Sequence, residues 1–159
     1  MNFNLSDIVK ASGRSAPEGT VFDLDPELPK VFELDTSADD DLIIITSQVF
    51  GQLFDELRKN ASGHQCRIST TADGTDQLVY IDHSGSIEDD QLELVNTRFA
   101  EIAGGQKWTT TNKSGNRMAA QQLTKINGTV KLLRIEDTQG DTTFKVRTLV
   151  TIPAPTLIP

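Results

Sequence analysis

Cysteine, basic residues and long apolar runs are all scarce in this chain of 159 residues. The single cysteine, Cys66, cannot form an internal disulfide, which fits a reducing compartment. No apolar stretch approaches the roughly 20 residues that a membrane-spanning helix needs. The N-terminus also lacks the basic-then-apolar pattern of a signal peptide. These absences favour a soluble, cytoplasmic domain.

The scarcity of basic residues gives the chain a net charge of −8 and a pI near 4.7. We expect neither a nucleic-acid partner nor direct contact with an anionic membrane, because both surfaces need clustered Lys and Arg. The acidic runs 39–41 and 88–90 each predict the start of a helix, where carboxylates meet the positive end of the dipole. His64 and His83 lack the spacing of a metal site.

The pattern of apolar residues predicts a single domain over residues 1–153, followed by an extended tail at 154–159. The helices expected from it lie at 3–11, 47–61, 88–102 and 118–126. The strands expected from it lie at 20–24, 30–35, 65–71, 77–82, 129–135 and 142–152. Residues 41–46 fit a strand or a helix equally well.

Two short turns decide between sheet types. Asp73-Gly74 and Gln139-Gly140 each lie between β-rich runs, which predicts hairpins. Such turns are too short for the crossover connections of a parallel sheet. We therefore predict an α/β sandwich, with a mixed, mostly antiparallel sheet that carries about three helices on one face.

The helix predicted at 47–61 carries the most informative pair of side chains. Its apolar residues recur at helical spacing on one face, and they are Phe50, Leu53, Phe54, Leu57 and Ala61. Glu56 and Asn60 lie four residues apart on another face. A carboxylate beside an amide oxygen suits a site that holds Mg²⁺ and places a base near a nucleotide phosphate. The same pair is also common on solvated helices.

Four stretches, in this order, carry a resemblance to a known family: 3–9, Asp23 to Pro29, the helix 47–61 and Gly140 to Val146. Over nearly its whole length the chain resembles the ATP-binding catalytic domain of sensor histidine kinases, a Bergerat fold shared with gyrase. The resemblance implies ATP and Mg²⁺ as cofactors. It also implies two partners, a helical dimerisation domain with the phosphoacceptor histidine and the receiver domain of a response regulator.

The resemblance assigns roles to individual residues. Asn60 matches the Mg²⁺-coordinating asparagine, and Glu56 matches the residue that orients or deprotonates the acceptor histidine. Lys59 matches a basic position that reaches phosphate. Asp82 matches the aspartate that accepts a hydrogen bond from the adenine amino group.

Two glycine-rich motifs depart from the family. After Asp82 the family has glycine where this chain has Ser84 and Ser86, and Gly85 lies between them. The motif that cradles the triphosphate is reduced to Gly115, flanked by Lys113 and Arg117 as candidate phosphate contacts.

The departures leave three interpretations open. The chain is an active kinase domain, a pseudokinase module that docks partners in a phosphorelay without ATP turnover, or an anti-sigma-factor kinase of the same fold. Its first residues resemble a linker, so we expect a fragment of a longer, membrane-anchored sensor. Residues 103–115 resemble the family's mobile lid, because they combine glycines with few apolar side chains.

Overall fold

The computed structural model describes residues 2–28, 32–33, 37–61, 63–105, 115–135 and 143–153. The helices within them are α1 (Leu5–Ser12), α2 (Ser37–Asn60), α3 (Asp89–Ala103) and α4 (Gly115–Lys125), with a short 3-10 helix at Gly13–Ser15. The strands are β1 (Asn2–Phe3), β2 (Val21–Asp23), β3 (Phe32–Glu33), β4 (Cys66–Asp73), β5 (Asp76–His83), β6 (Thr129–Arg134) and β7 (Val146–Ile152). None of the helices in this part of the chain combines the length and apolar character needed to cross a membrane.

A five-stranded sheet with the order β2-β4-β5-β7-β6 forms one layer of the molecule. Its neighbours are antiparallel except β2 and β4, which are parallel and are connected through α2. The predicted mixed, mostly antiparallel sheet is therefore confirmed. The four described helices lie on one face of it, and the core between the two layers joins α1, α2 and α4 to β4, β5 and β7.

Both predicted hairpin pairs are antiparallel. Asp73 pairs with Asp76, so Gly74 and Thr75 form a two-residue turn, and Gly74 adopts a left-handed φ of +64° that favours glycine. The pair β6–β7 is also antiparallel, while its connection at 136–142 lies outside the described residues.

Within the described residues, the strands β2 and β3 on either side of Pro26 do not pair with each other. Strand β2 pairs with β4, and β3 pairs with β1. The segment between them is bound instead to the start of α1. The Asn4 side chain donates to the carbonyls of Pro26 and Leu28, and the Ser6 hydroxyl donates to the carbonyl of Asp25.

Helix α2 includes residues 41–46, which resolves the ambiguity between strand and helix. The apolar face predicted for it is buried, with Phe50 and Phe54 fully enclosed and Leu53, Leu57 and Ala61 at most 8% exposed. Because this face lies on the sheet, the helix presents its other sides to the edge of the core and to solvent.

Candidate functional site

A cavity of about 310 Å³ lies between α2, the end of β5 and the start of α3. Helix α2 contributes Leu53, Glu56, Leu57, Asn60 and Ala61 to its wall. Strand β5, the loop after it and α3 contribute Ile81, His83, Ser86, Ile87, Gln91 and Val95, and strands β6 and β7 contribute Leu132, Val146 and Thr148. The wall is therefore apolar with a few polar groups, as in many small-molecule sites.

Glu56 and Asn60 meet at this cavity as the helical spacing predicts. The Asn60 amide Nδ2 donates to Glu56 Oε1 over 3.0 Å. Glu56 is half-buried and Asn60 is exposed. Because a carboxylate only accepts, this bond uses the amide nitrogen of Asn60 and leaves its Oδ1 oxygen for another partner.

This donor set fits Mg²⁺, which takes oxygen ligands and usually binds through one or two protein groups plus substrate phosphates. Among the described residues, no three His, Cys, Asp or Glu side chains are close enough to enclose a metal ion by themselves. An Mg²⁺ at Asn60 would therefore take most of its other ligands from phosphate oxygens and water.

Lys59 does not line the cavity. Its Nζ lies 3.1 Å from Asp55 Oδ2, and Arg58 pairs with the same carboxylate. The hydrogen bonds from Lys59 and Arg58 lower the pKa of Asp55. The exposed Lys59 side chain thus lies along the surface of α2 beside Asp55, and its contact with phosphate remains a prediction.

Asp82 is fully buried and is also absent from the cavity wall. Arg147 binds its carboxylate through two bonds, Nε to Oδ1 at 2.8 Å and Nη2 to Oδ2 at 3.0 Å. Arg67 adds a third bond at 3.1 Å. The two guanidiniums stack on the rings of Tyr80 and Phe144. The Asp82 carboxylate is therefore directed to the two arginines and not into this cavity, and its contact with adenine remains a prediction.

Strand alternation explains this outcome. Successive side chains of a strand point to opposite faces, so Val79, Ile81 and His83 share the helix-facing side of β5 while Asp82 faces away. Asp82 lies directly opposite Arg67 and Arg147 in the sheet register. The apolar pair Val79 and Ile81 is the sequence signal that could have identified His83 as the residue in the cavity.

His83 is held by the loop that follows it. Its Nδ1 accepts a hydrogen bond of 3.1 Å from the Gly85 N–H. A Cβ on Gly85 would lie 3.0 Å from this nitrogen, so a larger residue there would have to displace the ring by a few tenths of an ångström. Burial lowers the pKa of His83, the nearby His64 lowers it further, and Asp82 partly opposes the shift. The ring is therefore neutral at pH 7.

The described part of the second glycine motif lies at the start of α4. Gly115 is the first residue of α4, and Arg117, half-buried in the first turn of this helix, does not line the cavity. Lys113 lies outside the described residues, as do positions 106–114 of the predicted lid and the tail at 154–159. The phosphate contacts and the mobile lid remain predictions.

Four polar cavity residues had no predicted binding role: His83, Ser86, Gln91 and Thr148. Ser86 was expected only as a departure from glycine. Thr148 lies opposite Ile81 in the register of β5 and β7, so only the pairing of distant strands brings it to the site.

Solved structures of histidine kinases share this architecture. The catalytic domain of the histidine kinase ThkA aligns over 97% of this chain and 95% of its own, with a TM-score of 0.65 and 16% identity. The mycobacterial sensor histidine kinase MprB aligns over 96% of both chains, with a TM-score of 0.59 and 13% identity.

A third structure, ThkA in complex with the response regulator TrrA, aligns over 98% of this chain and 42% of the longer kinase, with a TM-score of 0.63 and 15% identity. No family model and no curated protein matches the sequence. At these identities the likeness concerns the fold, and the chain has the fold of a histidine-kinase catalytic domain.

Proposed function

We propose that this chain is the nucleotide-binding domain of a histidine-kinase-type phosphotransfer protein. The Glu56–Asn60 pair at the cavity carries the proposal, because it combines a metal-compatible oxygen with a carboxylate on the helix where the family has both. ATP is the triphosphate that the resemblance implies. Its reaction partner would be a histidine on a separate helical domain.

The chain's own groups would act mainly by positioning, as is usual in phosphoryl transfer. Asn60 Oδ1 would hold Mg²⁺, which when bound neutralises phosphate charge. Glu56 would orient the acceptor histidine or take its proton. The apolar wall around Leu57 and Ile81 would hold the base and exclude water.

Isothermal titration with Mg²⁺ and ATP tests nucleotide binding. We expect a dissociation constant between micromolar and low millimolar that the Asn60→Ala variant weakens strongly. Arg58→Ala is the matched control, because Arg58 lies on the same helix, is exposed and does not line the cavity. Absence of heat at several millimolar nucleotide would contradict the proposal.

A second candidate is a module that docks phosphorelay partners without nucleotide turnover. The position of Asp82 favours it, since the carboxylate expected to select adenine is bound by two arginines outside the cavity. The partners would be a receiver domain or the helical hairpin of another kinase.

Restoring glycine separates the two candidates. Asn116 follows Gly115 in the second glycine motif. The triple variant Ser84→Gly, Ser86→Gly and Asn116→Gly should create or greatly improve ATP binding if only the phosphate cradle has been lost. Ser86 lines the cavity, so Ser86→Gly enlarges it. Ser84→Gly instead removes a hydroxyl that accepts a hydrogen bond from the Gln65 N–H at 2.9 Å. The single variants therefore distinguish a gain of space from a loss of loop structure.

A further inference from the structure

We propose that His83 makes the base subsite of this cavity select a 6-oxopurine nucleotide, such as a guanine nucleotide, over the 6-aminopurine adenine. The inference rests on the proposed binding of a nucleotide. It concerns the hydrogen-bonding character of the cavity wall at the end of β5, where the structure places an imidazole ring in contact with the cavity and buries the neighbouring carboxylate on the opposite side.

An adenine amino group is a donor and needs an acceptor on the protein. Asp82 would supply one, but its oxygens already accept three hydrogen bonds from two guanidiniums and face away from the cavity. Moving this carboxylate into the cavity would require rotating the strand and separating both ion pairs. The acceptor that adenine needs is therefore absent from this position of the wall.

The ring of His83 offers a hydrogen-bond donor instead of an acceptor. Its Nδ1 accepts the Gly85 N–H, so a neutral ring carries its proton on Nε2. No described residue forms a hydrogen bond with Nε2. A cavity ligand at this point therefore meets a donor and is best matched by an acceptor.

Guanine and adenine differ at this point of the ring. Guanine carries the acceptor O6, whereas adenine carries the donor amino group. Two donors facing one another leave both unsatisfied, which we expect to weaken binding about tenfold. Adenine can satisfy His83 only through a ring nitrogen, which moves the base away from the position that its 6-substituent would take.

The other polar groups near the base do not reverse this preference. The hydroxyls of Ser86 and Thr148 can each donate or accept, and the amide of Gln91 carries both kinds of atom. They can adapt to either purine, including the N1–H and 2-amino donors of guanine. The neutral ring of His83 cannot adapt while Gly85 occupies its Nδ1.

Three ligands test the wild-type chain. Isothermal titration at pH 7.5 with Mg²⁺ and GTP, ITP or ATP should give GTP and ITP binding about tenfold tighter than ATP. ITP has the 6-oxo group without the 2-amino group, so it isolates position 6. ATP binding as tightly as the other two, or more tightly, would overturn this inference and leave nucleotide binding intact. No binding of any nucleotide would remove both proposals.

Two isosteric variants test the role of His83 itself. In His83→Gln the side-chain amide carries both a donor and an acceptor, so the preference for GTP should largely disappear. In His83→Glu an acceptor replaces the ring donor, and the preference should reverse toward ATP. His64→Gln is the control, since it changes the ring 6.3 Å from His83 and not the cavity donor. A preference for GTP that persists in His83→Glu would disprove the assignment, and the wild-type titrations decide it if a variant fails to fold.

Discussion

Asp82 and Asp55 are both bound by two cationic side chains, but burial makes their pairs unequal. Asp82 is fully enclosed, and its partners Arg67 and Arg147 keep 31% and 26% of their side chains exposed. Asp55 lies on the open surface of α2, where water screens its pairs with Arg58 and Lys59. Removing one charge therefore has different consequences at the two positions.

We expect Asp82→Asn to destabilise the chain by about 3 kcal/mol, because it leaves two partly buried guanidiniums facing an amide that also donates. Asp55→Asn should change the free energy of unfolding by about 0.5 kcal/mol or less. Urea unfolding of both variants measures the difference. Equal, small effects would mean that the three bonds to Asp82 contribute no more than a surface pair. Any loss of nucleotide binding in Asp82→Asn should be judged only after its stability is known.

Helix α1 has a second role besides its contribution to the core. Asn4 accepts from the Asp7 N–H at 2.9 Å, and the Asp7 carboxylate accepts from the Asn4 N–H at 3.1 Å, which forms a capping box. The same Asn4 side chain donates to the carbonyls of Pro26 and Leu28. The cap therefore also fixes the segment that leads out of β2.

The two roles of Asn4 can be separated. Asn4→Ser keeps a good N-cap but cannot donate to both carbonyls. The decrease in its free energy of unfolding therefore measures how much the bonds to the segment at 26–28 contribute. Asn4→Ala loses the cap as well and should cost about 1 kcal/mol more than Asn4→Ser. Thermal or urea unfolding of the two variants tests this order. A serine variant as stable as the wild type would mean that the bonds to Pro26 and Leu28 add nothing to stability.

At the scale of the whole molecule, stability should be unevenly distributed across the sheet. Strand β5 lies in the middle, between β4 and β7, and its Val79 and Ile81 are at most 2% exposed. Strand β2 is an edge strand of three residues, all of them exposed. Local opening requires little loss of buried contact at β2 and much at β5.

Amide hydrogen exchange should follow this gradient. We expect the amides of β5 to exchange only through global unfolding, at least about a hundredfold more slowly than those of β2. Mild denaturant should accelerate β5 and leave β2 nearly unchanged, because only global unfolding exposes much surface. Similar protection of the two strands would show that the sheet opens as one unit.

The sequence by itself determined the features that depend on neighbouring residues. The apolar face of α2, the turn at Gly74 and the Glu56–Asn60 pair all follow from spacings of a few residues, since helical period and turn chemistry are local. The hairpin pairs then excluded a parallel sheet, and most of the fold could be predicted.

The tertiary structure decided the features that depend on distant partners. Arg147, which binds Asp82, is 65 residues away in the chain, and β2 and β3 find partners other than each other. The resemblance assigned the base contact to Asp82. Sheet pairing directs that side chain to the arginines, and the alternation of β5 then leaves His83 in the cavity. Neighbouring residues of a strand face opposite sides of the sheet. Whether Asp82 or His83 lines the cavity therefore depended on which face of β5 the helices cover.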